Sequence, residues 1–179
     1  IILGLESGAN DYMHKPFHKK ELLSRIHNQL SIKQAIDDNS KLITMEKELQ
    51  TAKKIQAEIL PDKIPIFDGI KINTTYLPMH TVGGDLYDFN VISKNEIGVL
   101  IADVAGHGVS AAIIMGMVKL AFKMHRELAK DPAGLLEKMN ETLFGIAGKG
   151  YVTAGYCYLN LEKKEITYSS AGHPALMLL

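Results

Sequence analysis

The apolar positions along the chain fall into three textures. In residues 1–30 a short apolar piece leads into a Gly8–Ala9–Asn10–Asp11 turn and a Lys15–Pro16 step. Leu22, Leu23, Ile26 and Leu30 then recur at helical spacing, which predicts an amphipathic helix over 18–30. Residues 31–60 contain neither glycine nor proline, so nothing interrupts a helix before Pro61. Ile32, Ile36, Leu42, Met45, Leu49, Ala52 and Ile59 are spaced by three, four or their sums, as in a helix pairing with a second copy of itself. Asn39 and Gln56 fall at seam positions, so the heptad is imperfect.

Beyond Pro61 the period shortens. Runs at 70–76, 86–92 and 97–103 read as strands, followed by helices over 109–128 and 132–144. Further strands are predicted at 151–159, 165–169 and 175–179. Strands, then helices, then strands point to α+β rather than a regular βαβ alternation. The chain opens without Met and its last predicted strand reaches the final residue, so a fragment of a longer protein is expected. The resulting division is 1–30, 31–60 and 61–179.

Composition narrows the function classes. Twenty basic residues balance twenty acidic ones, which argues against a nucleic-acid partner. Apolar runs such as 97–102 are too short to span a bilayer, so no membrane partner is expected. The one cysteine, Cys157, alternates with tyrosines and reads as a buried thiol, and with no export signal the expected location is cytoplasmic. Met115, Met117 and Met124 read as core filler.

The candidate chemistry lies in Gly83–Gly84–Asp85–Leu86–Tyr87–Asp88 and in Ala102–Asp103–Val104–Ala105–Gly106–His107–Gly108. Asp103 ends an apolar strand, where an unpaired carboxylate is costly; a metal, a basic residue or backbone donors must hold it. Asp85 follows a glycine pair that allows close approach of the backbone. Two carboxylates at tight turns, without a Cys or His cluster, suit Mg²⁺ or Mn²⁺ rather than Zn²⁺. Gly106–His107–Gly108–Val109–Ser110–Ala111 also satisfies a dinucleotide-binding spacing, with Glu127 some way on. Glu127 belongs to the same predicted helix rather than to a second strand, so that reading fails. His107 is a candidate catalytic acid or a structural turn residue, and His173 reads as structural.

These two motifs, with Ser170–Ala171–Gly172–His173–Pro174 and the run from Ala52 to Pro61, resemble the bacterial metal-dependent PPM (PP2C-type) serine/threonine phosphatases of the stage II sporulation protein E and RsbU type. The resemblance covers about residues 50–179. It implies a PPM-type α/β sandwich, two antiparallel sheets flanked by helices, truncated here at its C-terminus. It also implies two Mn²⁺ or Mg²⁺ ions that activate a water for direct attack on a phosphoserine or phosphothreonine, with no protein nucleophile. By motif position Asp103 would bridge both ions, Asp85 would ligate one, and the Val104 carbonyl would be a further ligand. Asp88 is not assigned to the metal. His80 stands where many relatives carry arginine. The family's later aspartates would lie beyond Leu179, so the 179-residue chain alone is expected to be catalytically silent.

Leu5 to Phe17 resembles the end of a flavodoxin-like two-component receiver domain, in which Lys15 would contact the phosphorylated aspartate across a cis Lys–Pro step. Together the resemblances imply a response regulator with a phosphatase output. Its substrate would be a phosphorylated STAS-type anti-sigma-factor antagonist, its input a sensor histidine kinase, and its linker helix would form a homodimer. The alternative is a non-catalytic phosphatase-like module that binds a partner.

Overall fold

The computed structural model describes residues 6–78, 81–146 and 150–177. The chain divides into two units, Ile1–Glu48 and Leu49–Leu179. Helix α1, Lys19–Ile59, is one uninterrupted element of 41 residues. It replaces the two helices predicted at 18–30 and 31–60, because no glycine or proline occurs anywhere from 18 to 60 to break it.

In the first unit the chain before α1 is tied to its opening turns. The Asp11 carboxylate accepts from Arg25 at 2.9 and 3.0 Å and from the Tyr12 N–H at 2.7 Å. The Arg25 guanidinium holds the Asp11 carboxyl below its ordinary pKa. Lys15 is exposed, and the Lys15–Pro16 peptide is cis. Between residues 23 and 45 the apolar side chains of α1 stay largely in solvent: Ile36 is 59% exposed and Leu42 64%.

The second unit follows the predicted α+β order. β1 (Leu86–Ser93) and β2 (Glu96–Val104) lead to α2 (Val109–Met124), a 3₁₀ turn (Arg126–Leu128) and α3 (Pro132–Leu143), then β3 (Val152–Asn160) and β4 (Glu165–Ala171). The four strands form one antiparallel sheet in the order β1-β2-β3-β4. α2 and α3 close one face: Leu100, Ala102 and Val104 pack with Met115, Val118 and Phe122 of α2 and with Leu135 and Met139 of α3. Tyr156 is fully buried there and donates to the Ala129 carbonyl at 2.9 Å. A side chain at Gly98 would collide with this ring, so the sheet accommodates the tyrosine by omitting a Cβ. On the opposite face Ile97 packs with Phe67 and Phe89.

Several expectations change. Residues 70–76 alternate half-buried and exposed as predicted, but they form no ladder; only an isolated Phe67–Ile70 bridge occurs nearby. The alternation there records one-sided packing, with Ile70 and Ile72 against the Phe67 cluster, rather than pairing. Residues 175–177 of the last predicted strand are not a strand, and 178–179 lie outside the described residues. The helix predicted over 109–128 ends at Met124, where the His125 N–H still reaches the Ala121 carbonyl at 3.3 Å before the backbone tightens into the 3₁₀ turn. Asp131 then caps α3 by accepting from the Gly134 N–H at 3.1 Å, with Pro132 in the first turn. Of the three methionines expected in the core, only Met115 is buried there. Met117, two residues along the helix, faces the other way and is 37% exposed, and Met124 at its end is 57% exposed. Cys157 is half-buried rather than buried, because its strand neighbour Tyr156 takes the helix-facing side; partial burial raises the thiol pKa.

Candidate functional site

The site is built by strand register. β1 and β2 pair Leu86 with Ala102 and Tyr87 with Ile101, so Asp85, one residue before β1, lies opposite Asp103. β2 and β3 then pair Asp103 with Thr153. Two carboxylates and a hydroxyl therefore form a row across three chain segments, at the end of the sheet where β2 runs into the loop before α2. Like charges set opposite each other are unfavourable without a counter-ion. The Asp85 carboxyl is raised above its ordinary pKa, first by partial burial and then by the Asp103 charge; the His173 imidazole partly offsets the rise.

Asp103 is exposed, which corrects the burial argument made for it from sequence: the residue ends an apolar strand, but its side chain is on the face away from the helices. What marks the position is its facing carboxylate, not desolvation. Val104 is the next residue of β2, buried, and its carbonyl lies close to Gly84. A Cβ at Gly84 would come within 2.8 Å of that oxygen and 3.3 Å of the Ala111 side chain. Glycine at 84 is thus required for the backbone approach that places Asp85 beside the Val104 carbonyl.

The loop carrying Asp85 is also held from behind. Gln56, predicted for a coil seam, is instead 5% exposed. Its amide nitrogen donates to the Gly83 carbonyl at 2.6 Å, and its amide oxygen accepts from the Gly83 N–H at 3.0 Å. A primary amide can satisfy both backbone groups of one residue, which a heptad seam does not ask of it.

His173, expected to be structural only, reaches the same site. The Gly172 turn, with φ +72°, brings it to a groove of about 450 Å³ that Asp85, Tyr76, Thr74 and Ile101 also line. Its Nδ1 is 3.0 Å from the Thr153 hydroxyl, and the Ser170 hydroxyl donates to its carbonyl at 2.8 Å. Position in the sequence gave no signal for Thr153, Tyr76 or Gln56, since each joins the site only through cross-strand register or packing. His107 is exposed in the loop between β2 and α2, and His80 lies outside the described residues.

Asp88 lies apart from this row. It points to the helix-covered face, 2% exposed, with Lys119 Nζ at 2.8 Å and Lys123 Nζ at 3.0 Å. The dinucleotide reading also stays excluded, because the sheet is antiparallel throughout. Among the described residues no group of three or more His, Cys, Asp or Glu is placed to hold a metal. Asp85, Asp103 and the Val104 carbonyl fit a hard, oxygen-preferring cation as part of a ligand set. No helix among the described residues is long and apolar enough to cross a membrane.

Residues 93–179 match the family model for stage II sporulation protein E (SpoIIE). The chain is 32% identical over 130 residues to phosphoserine phosphatase RsbU of Bacillus subtilis, covering 72% of this chain and 38% of RsbU. It therefore spans little more than a third of that relative's length. A separate, short similarity, 57% identical over 30 residues, links it to the DNA-binding response regulator MtrA of Mycolicibacterium smegmatis, covering 17% of this chain and 13% of MtrA. In fold it resembles the SiaA-PP2C domain of Pseudomonas aeruginosa, with a TM-score of 0.62 and 21% identity over 74% of this chain and 55% of that one. Through residues 93–179 the chain is thus similar to the stage II sporulation protein E (SpoIIE) family, and its fold is similar to that of a PP2C domain.

Proposed function

We propose that the full-length protein is a metal-dependent serine/threonine phosphatase and the output of a two-component response regulator. The observation that carries the reading is the Asp85–Asp103 row: two carboxylates held face to face by register, with no basic side chain bonded to either in the described residues. Asp103, Asp85 and the Val104 carbonyl would hold two Mn²⁺ or Mg²⁺ ions in this reading, with Asp103 as the shared ligand. When bound, the ions supply an activated water and charge stabilisation for a phosphoryl group. The chain's own residues fix the geometry. Gln56 and the Gly84–Val104 approach hold the loop of Asp85, β3 holds Asp103 in register, and Thr153 orients His173 toward the groove. His107 is assigned the proton delivered to the leaving seryl oxygen.

The phosphoserine specificity named for RsbU supports a phosphoserine substrate, and the reading extends it to a phosphorylated STAS-type anti-sigma-factor antagonist in the cytoplasm. A second sheet completing a sandwich belongs to the same reading, as does the division at 30 and 60. The similarity to MtrA supports residues 1–30 as the end of a receiver that answers to a sensor histidine kinase, with Lys15 as its phosphoryl contact. In the test, the full-length protein should hydrolyse a phosphoserine peptide or p-nitrophenyl phosphate with Mn²⁺ or Mg²⁺ and stop on chelation. Turnover that survives chelation would refute the metal mechanism. The second reading, a non-catalytic binding module, is favoured by the small ligand set among the described residues. It predicts no turnover with any divalent ion.

The exposed row Ile32, Ile36, Leu42 and Met45 is the surface assigned to pairing with a second copy. Leu42→Asp should move the protein from dimer to monomer in light scattering, since a charge in the seam has no partner. A monomeric wild type would remove the coil from the account.

A further inference from the structure

The groove beside Asp85 contains a hydroxyl whose hydrogen bond is unspent. Tyr76 Oη is buried and has no hydrogen-bond partner among the described residues. An unpaired buried hydroxyl is costly enough that native structures seldom leave one without a use. Its surroundings limit what it can serve. A Cβ on Gly83 would stand 3.4 Å from it, but both backbone groups of Gly83 are already taken by Gln56. The neighbouring ring, Tyr87, lies 6.4 Å away between centroids, and its hydroxyl already accepts from Thr74 at 3.4 Å. Tyr76 and Asp85 line the same groove, so a phenol with a proton to donate lies in one cleft with a carboxylate that can accept it.

We infer that Tyr76 is a positioning residue for Asp85: when Asp85 turns one carboxylate oxygen to a divalent ion, the Tyr76 hydroxyl donates to the other. This rests on the metal reading proposed above. Carboxylate ligands are commonly held by such a donor, whose loss typically weakens metal binding by roughly 10- to 100-fold. The extended segment 70–78, which joins no ladder, thereby has a task at the site: it delivers the phenol from outside the sheet.

The experiment titrates Mn²⁺ calorimetrically into the full-length wild type, Tyr76→Phe and Tyr87→Phe. Phenylalanine keeps the ring, so melting temperatures should match and a folding defect would be visible separately. The expected result for Tyr76→Phe is a Mn²⁺ dissociation constant about tenfold weaker or more. Its hydrolysis should recover toward wild-type kcat at saturating Mn²⁺, with KM for the phosphoserine peptide unchanged. Tyr87→Phe should bind Mn²⁺ as the wild type does. Equal Mn²⁺ affinity for Tyr76→Phe and wild type would overturn the inference while leaving the metal reading in place. A wild type that binds no Mn²⁺ would overturn both.

Discussion

Asp103→Asn should lower kcat for phosphoserine hydrolysis by the full-length protein on the order of a thousandfold, the upper range for losing one charge-stabilising group from a preorganised site. The substitution is nearly isosteric, so the pairing of Asp103 with Thr153 and the packing of Val104 against Ala111 should survive. What is lost is one of the two facing charges that together can hold a divalent ion. An asparagine still offers an oxygen, but no charge, and it cannot bridge two cations with comparable strength. The melting temperature without metal should hold or rise, because the substitution relieves the repulsion that now raises Asp85. A variant that keeps its activity would show that the ligands have been misplaced.

The second large effect is on stability. Asp88→Ala should destabilise the second unit by about 3 kcal/mol, the lower end for breaking a buried pair, since Lys119 and Lys123 keep some access to water. The carboxylate also accepts from the Phe89 N–H at 2.8 Å, so the loss removes the counter-charge of two ammonium groups and the acceptor of one backbone N–H. A melting temperature lower by roughly 10 °C is expected for a unit of this size. Mn²⁺ affinity should be unchanged, because Asp88 lies on the helix-covered face while Asp103 lies on the other. An unaltered melting curve would mean that the lysines do not need Asp88.

The same contrast shows what the sequence could and could not reveal. Strands at 86–92, 97–103 and 165–169 and the helix at 132–144 were legible because each carries its own signal: alternation along the strands, and Asp131–Pro132 opening the helix. Asp85 and Asp103 were legible as motif residues. That they face each other follows from a register fixed by the turn between Ser93 and Glu96, which no local pattern states. Gln56 was misread because a polar residue in an apolar repeat looks the same whether it faces a second helix or a loop. Tyr76 was unreadable, and His173 was legible as a motif residue but not as a neighbour of Asp85, for a related reason: one comes from a segment without a ladder and the other from a turn past β4, and only packing brings them to Asp85.

The central claim is that the Asp85–Asp103 row holds a divalent cation, and calorimetric titration of Mn²⁺ into the full-length wild type and Asp103→Asn tests it most directly. The account predicts saturable binding by the wild type and affinity weakened at least about tenfold in the variant. Identical Mn²⁺ binding by the two proteins would contradict it.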